Sequence, residues 1–137
     1  MTNIKYLEKK PDSRAYFELF ESTGWNTNYK VEQSELYQAL EGSWYVISAY
    51  DGDNLVGIGR IVSDGVIYGM IYDLIVKPSH QAKGIGSIIL EKLITKCKIA
   101  RLRDIQLFSA KGKAPFYNKC GFVERPDDAP GMSFKKF

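Results

Sequence analysis

The chain has 137 residues, 45% of them apolar and 13% aromatic, and a formal net charge of +3. That length suits one domain of the commonest size, and the apolar content suits a packed core and excludes a disordered chain. The charge is mild and forms no basic stripe with interleaved aromatics, which argues against a nucleic-acid partner and leaves room for a small polyanionic ligand.

Residues 1–10 carry no apolar signal core, and no run reaches membrane-spanning length, so a cytoplasmic protein with no membrane partner is expected. Residues 4–7 read as a short strand. Asp12 or Ser13 can cap a helix bearing Ala15, Tyr16, Leu19 and Phe20 on one face and stopping at Gly24. A second short helix is expected over 33–40, where Leu36, Tyr37 and Leu40 recur at helical spacing before Gly42. The period then changes. Residues 44–50 and 55–62 are strand-like, and Asp51-Gly52-Asp53-Asn54 between them supplies turn chemistry for a hairpin. Ser63-Asp64-Gly65 turns into a long strand over 66–76, which Lys77-Pro78 ends because proline lacks an N–H.

A helix follows from about Gly84 to Ala100, with Ile85, Ile88, Ile89, Leu93, Ile94 and Cys97 expected on its inner face. Residues 105–109 read as another strand and 114–119 as a short helix ended by Gly121. A last strand pair is expected around 122–123 and 132–137, across the turn-rich 126–131. The order predicts one α+β domain over 1–137, with a mostly antiparallel central sheet flanked by helices. Cys97 and Cys120 are the only cysteines and His80 the only histidine, and none has metal-ligand spacing, so no metal is expected.

Gln81-Ala82-Lys83-Gly84-Ile85-Gly86-Ser87 joins the long strand to the long helix. The first N–H groups of a helix have no backbone partner, and the helix dipole adds partial positive charge there. Glycines at 84 and 86 leave no Cβ in the way, so a phosphate can approach the backbone. Downstream, Ala114-Pro115-Phe116-Tyr117-Asn118-Lys119-Cys120-Gly121-Phe122 places a tyrosine three residues before Gly-Phe. These two segments resemble the GCN5-related N-acetyltransferase (GNAT) superfamily: the first fits its acyl-CoA loop, the second its later helix. The resemblance runs over about residues 44–123, and the first forty residues match in element order only.

The resemblance implies acetyl-CoA as co-substrate, with the pyrophosphate held by backbone amides of Lys83, Gly84, Ile85, Gly86 and Ser87, the Gln81 side chain also close to it, and Ala82 in the same loop. It implies that the main chain of Leu74, Ile75 and Val76 pairs with the pantetheine arm where neighbouring strands splay apart, helped by a bulge in the fourth strand. The Leu74 amide would then polarise the thioester carbonyl. The acceptor would be a primary amine of a small molecule or a protein, and similar enzymes often pair as homodimers.

Acetyl transfer to an amine raises two proton problems. A lysine-like amine of pKa about 10.4 is neutral in about one molecule in 2,500 at pH 7, so its proton must be removed. The departing thiolate leaves more easily if it is protonated, and by the resemblance Tyr117 is the acid; a packed aromatic is the alternative. Met70 and Tyr72 stand where some relatives place histidines. Asp73 either takes the amine proton through water, holds the cationic amine, or is a strand-end carboxylate paired with a lysine or arginine.

Other residues have plainer expectations. His80 sits on a solvent-facing turn, Lys83 meets a phosphate or solvent, and Arg60 pairs with an acidic substrate group or, by default, forms a surface pair. Trp25, Tyr29 and Trp44 line the acceptor pocket or the core. Gly57 and Gly59 within a strand signal a close approach or a bulge. A non-catalytic acyl-CoA sensor of the same fold is the rival reading. A dinucleotide-binding oxidoreductase lacks its third glycine, and a P-loop enzyme lacks Gly-Lys-Ser or Gly-Lys-Thr.

Overall fold

A computed structural model describes residues 3–135. The chain divides into two compact units, Met1–Leu107 and Phe108–Phe137. In the first unit five strands form one sheet in the order β1 (Ile4–Leu7), β2 (Tyr45–Asp51), β3 (Asn54–Ser63), β4 (Tyr68–Val76) and β5 (Asp104–Leu107). Neighbours from β1 to β4 are antiparallel, and β5 joins β4 in parallel. This is the expected α+β architecture.

Local chemistry sets the helices. The Asp12 carboxylate accepts the Ala15 N–H at 3.2 Å and starts α1 (Ser13–Glu21). A reciprocal pair between Glu32 and Glu35 starts α3 (Gln33–Glu41). Between them lies a helix with no counterpart in the sequence expectations, α2 (Asn26–Tyr29). It is too short to show a period. Asn26 closes it by accepting the Val31 N–H at 2.8 Å and donating to the Val31 carbonyl at 3.0 Å. β4 begins two residues later than expected, because the Asp64 carboxylate accepts the amides of Val66, Ile67 and Tyr68 and prolongs the turn. Those bonds hold its carboxyl below the usual range.

The sheet alternates, so successive residues of β3 face opposite layers. Ile58 joins Tyr16, Leu19, Phe20, Leu36, Leu40, Val46, Leu55 and Ile75 in the core under α1 and α3. Gly57 and Gly59 face α4 (Ile85–Ile99) on the other side. A Cβ on Gly59 would lie 2.7 Å from Ile89 Cγ2 and 2.8 Å from Leu93 Cδ1. The two glycines therefore mark a close approach to α4, and Gly59 also stands at an irregularity in the register with β4, so both expected readings apply. α4 buries Ile85, Ile89, Leu90, Leu93 and Cys97, each isoleucine or leucine contributing about 1.5–3 kcal/mol. Ile88 is exposed instead of inward and Leu90 takes the inner place, because the stripe drifts around a 3.6-residue helix and the sheet meets only its centre.

The second unit, described by itself, holds α5 (Ala114–Lys119), as expected. The expected strand pair is absent from its described residues, and positions 136 and 137 lie outside them. Pro126 and Pro130 supply no N–H, and the Ala129 N–H and carbonyl are spent locally on Pro126 and Arg125. Among the described residues no helix is long and apolar enough to cross a membrane.

Gly59→Ala forces its methyl into Ile89 and Leu93 and should cost about 1–3 kcal/mol. Urea unfolding should show a lower midpoint at unchanged slope; an unmoved midpoint would mean that α4 does not pack this closely.

Candidate active site

β4 changes character halfway along its length. Its pairing with β5 runs from Tyr68↔Asp104 to Ile71↔Leu107 and stops, while β4 continues to Val76. Among the described residues the 72–76 stretch has no strand partner on that side. On the β3 side the pairs are Arg60↔Tyr72 and then Ile58↔Ile75, so Asp73 and Leu74 together oppose the single residue Gly59. That is a β-bulge, and Asp73 adopts φ 53° within it. A non-glycine residue in the left-handed region costs roughly 1–2 kcal/mol.

Two donors meet the strained residue. Asp73 Oδ2 accepts the Tyr16 hydroxyl at 2.8 Å and the Arg60 Nε–H at 2.7 Å. Arg60 also donates from Nη1 to Ser43 Oγ at 3.2 Å and stacks 5.7 Å over the Tyr72 ring. The two charged side chains are only 15% and 13% exposed, so Arg60 is not in the surface pair expected of it. Breaking such a pair by removing one partner costs about 3–5 kcal/mol. No described residue donates to Asp73 Oδ1. Tyr16 is fully buried, and burial first, then the Asp73 charge, pushes its phenol well above the usual range.

β4 then runs into the loop. Pro78–His80 forms one 3₁₀ turn, Ala82 and Gly84 take φ 60° and 84°, and α4 begins at Ile85. The first helical amide bond is Ile88 N–H to Gly84 O. Among the described residues none accepts a hydrogen bond from the amides of Lys83, Gly84, Ile85, Gly86 or Ser87. Five unpartnered N–H groups at a helix start make a cradle for an anion. The loop is held from its flanks. Gln81 Nε2 donates to the Val76 carbonyl at 3.0 Å, so this side chain is turned onto β4. His80 is not on a solvent-facing turn, as its side chain is 17% exposed and Nε2 lies 2.9 Å from Asp51 Oδ2 at the β2–β3 turn.

The first unit therefore brings together Asp73, Leu74, Ile75, Val76, Gln81 and the residues 82–87. Lys83 and Ser87 are exposed. Trp44 lines an open cavity of about 440 Å³ with Lys9, Lys10 and Lys96, whose cations are engaged by Tyr50, the Glu41 carbonyl, and the Trp44 and Tyr45 rings. Trp25 packs on Phe20, and Tyr29 is largely exposed. In the second unit Tyr117 stacks edge-on against Phe116 and Phe122, and burial, then Cys120, raises its phenol above the usual range. The sequence reading missed Tyr16, although a tyrosine on an apolar stripe has a hydroxyl that needs a partner.

The family description "Acetyltransferase (GNAT) domain" matches residues 17–130. The chain belongs to the GNAT acetyltransferase family. An uncharacterised N-acetyltransferase, ycf52, of Pyropia yezoensis is 31% identical over 143 residues, covering 92% of this chain and 82% of that protein. Serotonin N-acetyltransferase 2 of Oryza sativa subsp. japonica is 31% identical over 107 residues, covering 75% of this chain and 54% of that protein. A GNAT family acetyltransferase of Streptococcus pneumoniae TIGR4 superposes with TM-score 0.78 at 31% identity, over 99% of this chain and 98% of that one. The sheet is thus a GNAT fold, and the chain is an acetyltransferase of that family.

Tyr16 gives this acetyltransferase a testable alkaline signature. An unfolded phenol ionises near 10, whereas the folded one keeps its proton beyond that. The unfolded state then binds fewer protons, so the Tyr16 contribution is complete below about pH 10 and declines as pH rises toward the folded value. In urea unfolding at pH values rising from about 10, Tyr16→Phe should lose stability less steeply than the parent, keeping only the decline that Tyr45 and other phenols contribute; equal slopes would refute the assignment.

Proposed function

We propose that the chain transfers an acetyl group from acetyl-CoA to a primary amine by direct attack on the thioester. The observation that carries this reading is the row of unpartnered amides at 83–87 placed just beyond a β4 edge with no strand beside it. The residues fit the co-substrate: the amide cradle suits a pyrophosphate, and the β4 edge from Leu74 to Val76 suits an extended amide-bearing arm. Acetyl-CoA supplies an activated acyl carbon.

The rest falls to this chain. In the transfer a C–N bond forms and the C–S bond breaks; the amine gives up a proton and the sulfur takes one. The Leu74 amide is our candidate for the donor that stabilises the carbonyl oxygen, a contact worth a few kcal/mol when preorganised. Asp73 is our candidate for the group that accepts the amine proton through water or holds the ammonium, because Oδ2 is committed while Oδ1 has no donor among the described residues. Tyr117 is proposed as the acid for the departing sulfur on its motif position, since a phenol holds its proton at neutral pH and can supply it.

The rice relative's name supports a small aryl-alkyl amine among the acceptors to try, beside polyamines and lysine peptides. Acetyl-CoA at a hundredfold excess over its dissociation constant should stabilise the fold by about 2.7 kcal/mol in a thermal-shift assay. Gly84→Val, whose backbone must hold φ 84°, should weaken that binding at least ~10-fold in calorimetry, since strain there disorganises the amides. Thiol release over the amine panel should then fall on the order of 10²-fold in kcat for Tyr117→Phe. Binding without release from any amine would favour the sensor reading, and no binding would end both.

A further inference from the structure

We propose that Tyr16 and Arg60 are positioning residues for acetyl transfer, clamping the Asp73 carboxylate so that β4 keeps its bulge beside the open edge. This rests on the reading just given for Leu74 and Asp73. Two separate parts of the fold converge on one carboxylate oxygen, and a third steadies one of them. Tyr16 comes from α1, is fully buried, and reaches Asp73 Oδ2 at 2.8 Å across 57 residues of chain. Arg60 comes from β3 at 2.7 Å. Ser43, after α3, takes a further hydrogen bond from Arg60, and the Tyr72 ring covers the guanidinium.

The site of convergence is the informative point. Asp73 is the one residue within a described strand with positive φ. A left-handed aspartate persists only where its surroundings over-determine it. The clamp supplies that determination through the side chain, on the face away from α4. It leaves Oδ1 uncommitted and leaves Asp73 and Leu74 without register partners on β3. A bulge residue free to relax toward extended geometry would slide Leu74 into register with Gly59 and withdraw the amide from the edge. The clamp therefore couples the α1 layer to the edge, while the phosphate cradle is anchored separately through Gln81 and His80.

Tyr16→Phe removes one hydroxyl and keeps the ring against Phe20. In ¹H–¹⁵N spectra of the unliganded protein, the Asp73 and Leu74 amides should move while those of residues 83–87 stay. The acetyl-CoA dissociation constant should remain within about twofold, and kcat for the fastest amine of the panel should fall on the order of tenfold. Ser43→Ala, which loosens only the outer hold on Arg60, should give the same pattern at smaller amplitude and serves if Tyr16→Phe does not fold. Amide changes spread through the core, or kcat within twofold of the parent, would overturn the proposal, as would an equal loss in acetyl-CoA binding. If the parent itself failed to bind acetyl-CoA, the functional reading would fall, while the spectra would still show whether the clamp holds the bulge.

Discussion

β4 outlasts β5, and the function proposed for the first unit rests on that mismatch. The register is fixed at its start: the Arg103 and Asp104 amides both donate to the Ile67 carbonyl at 2.8 Å, which sets Tyr68 opposite Asp104. Four residues of β5 are then used up by Ile71. Beyond it the β4 backbone presents an edge. Exposed edges invite pairing with any extended chain, and folded proteins usually cover or disrupt them. Here the edge is short and bulged, and it ends within a few residues of an anion cradle. The proposed co-substrate, extended and phosphate-bearing, would use both features.

The cradle depends on how α4 is seated. Gly57 and Gly59 let Ile89 and Leu93 sink against β3, and Gly69 stands similarly close to Cys97 and Leu102. This packing fixes the helix start relative to the end of β4. The loop between them then needs anchors that do not consume its own amides. Gln81 bonds the Val76 carbonyl and His80 pairs with Asp51, so both ties are made by side chains next to the loop. The backbone N–H groups of 83–87 remain unspent, which is what an anion site requires.

Local signals made some of this legible in the sequence, and long-range partners hid the rest. The hairpin, α1, α3, α5 and the strand–loop–helix passage were readable because period, caps and turn residues lie within a few positions of one another. α2 is too short to have a period, and its closure rests on one asparagine side chain. The C-terminal strand pair expected across the turn-rich 126–131 does not form among the described residues, where Val123, Met132 and Phe134 are largely exposed and Val123 lies in no strand. Of the site, the glycine loop was legible, as it carries its own spacing. The clamp was not: Tyr16 and Asp73 stand 57 positions apart and Arg60 and Asp73 stand 13 apart, with no local pattern joining them.

The position of that clamp separates function from stability. A buried ion pair often contributes no more than apolar side chains of similar volume would, because desolvation offsets the attraction. A left-handed aspartate adds a further cost of its own. The fold could save both by an unbroken β4 with an apolar residue at position 73. It would then lose the bulge and return Leu74 to the ladder. Sequences that depart from local consistency do so mostly at functional or strained sites. In this sheet the strained residue, the buried charge pair and the end of β5 pairing fall within three residues of one another on β4. On the proposed reading the polar cluster holds the bulge beside the open edge of β4 more than it holds the sheet together.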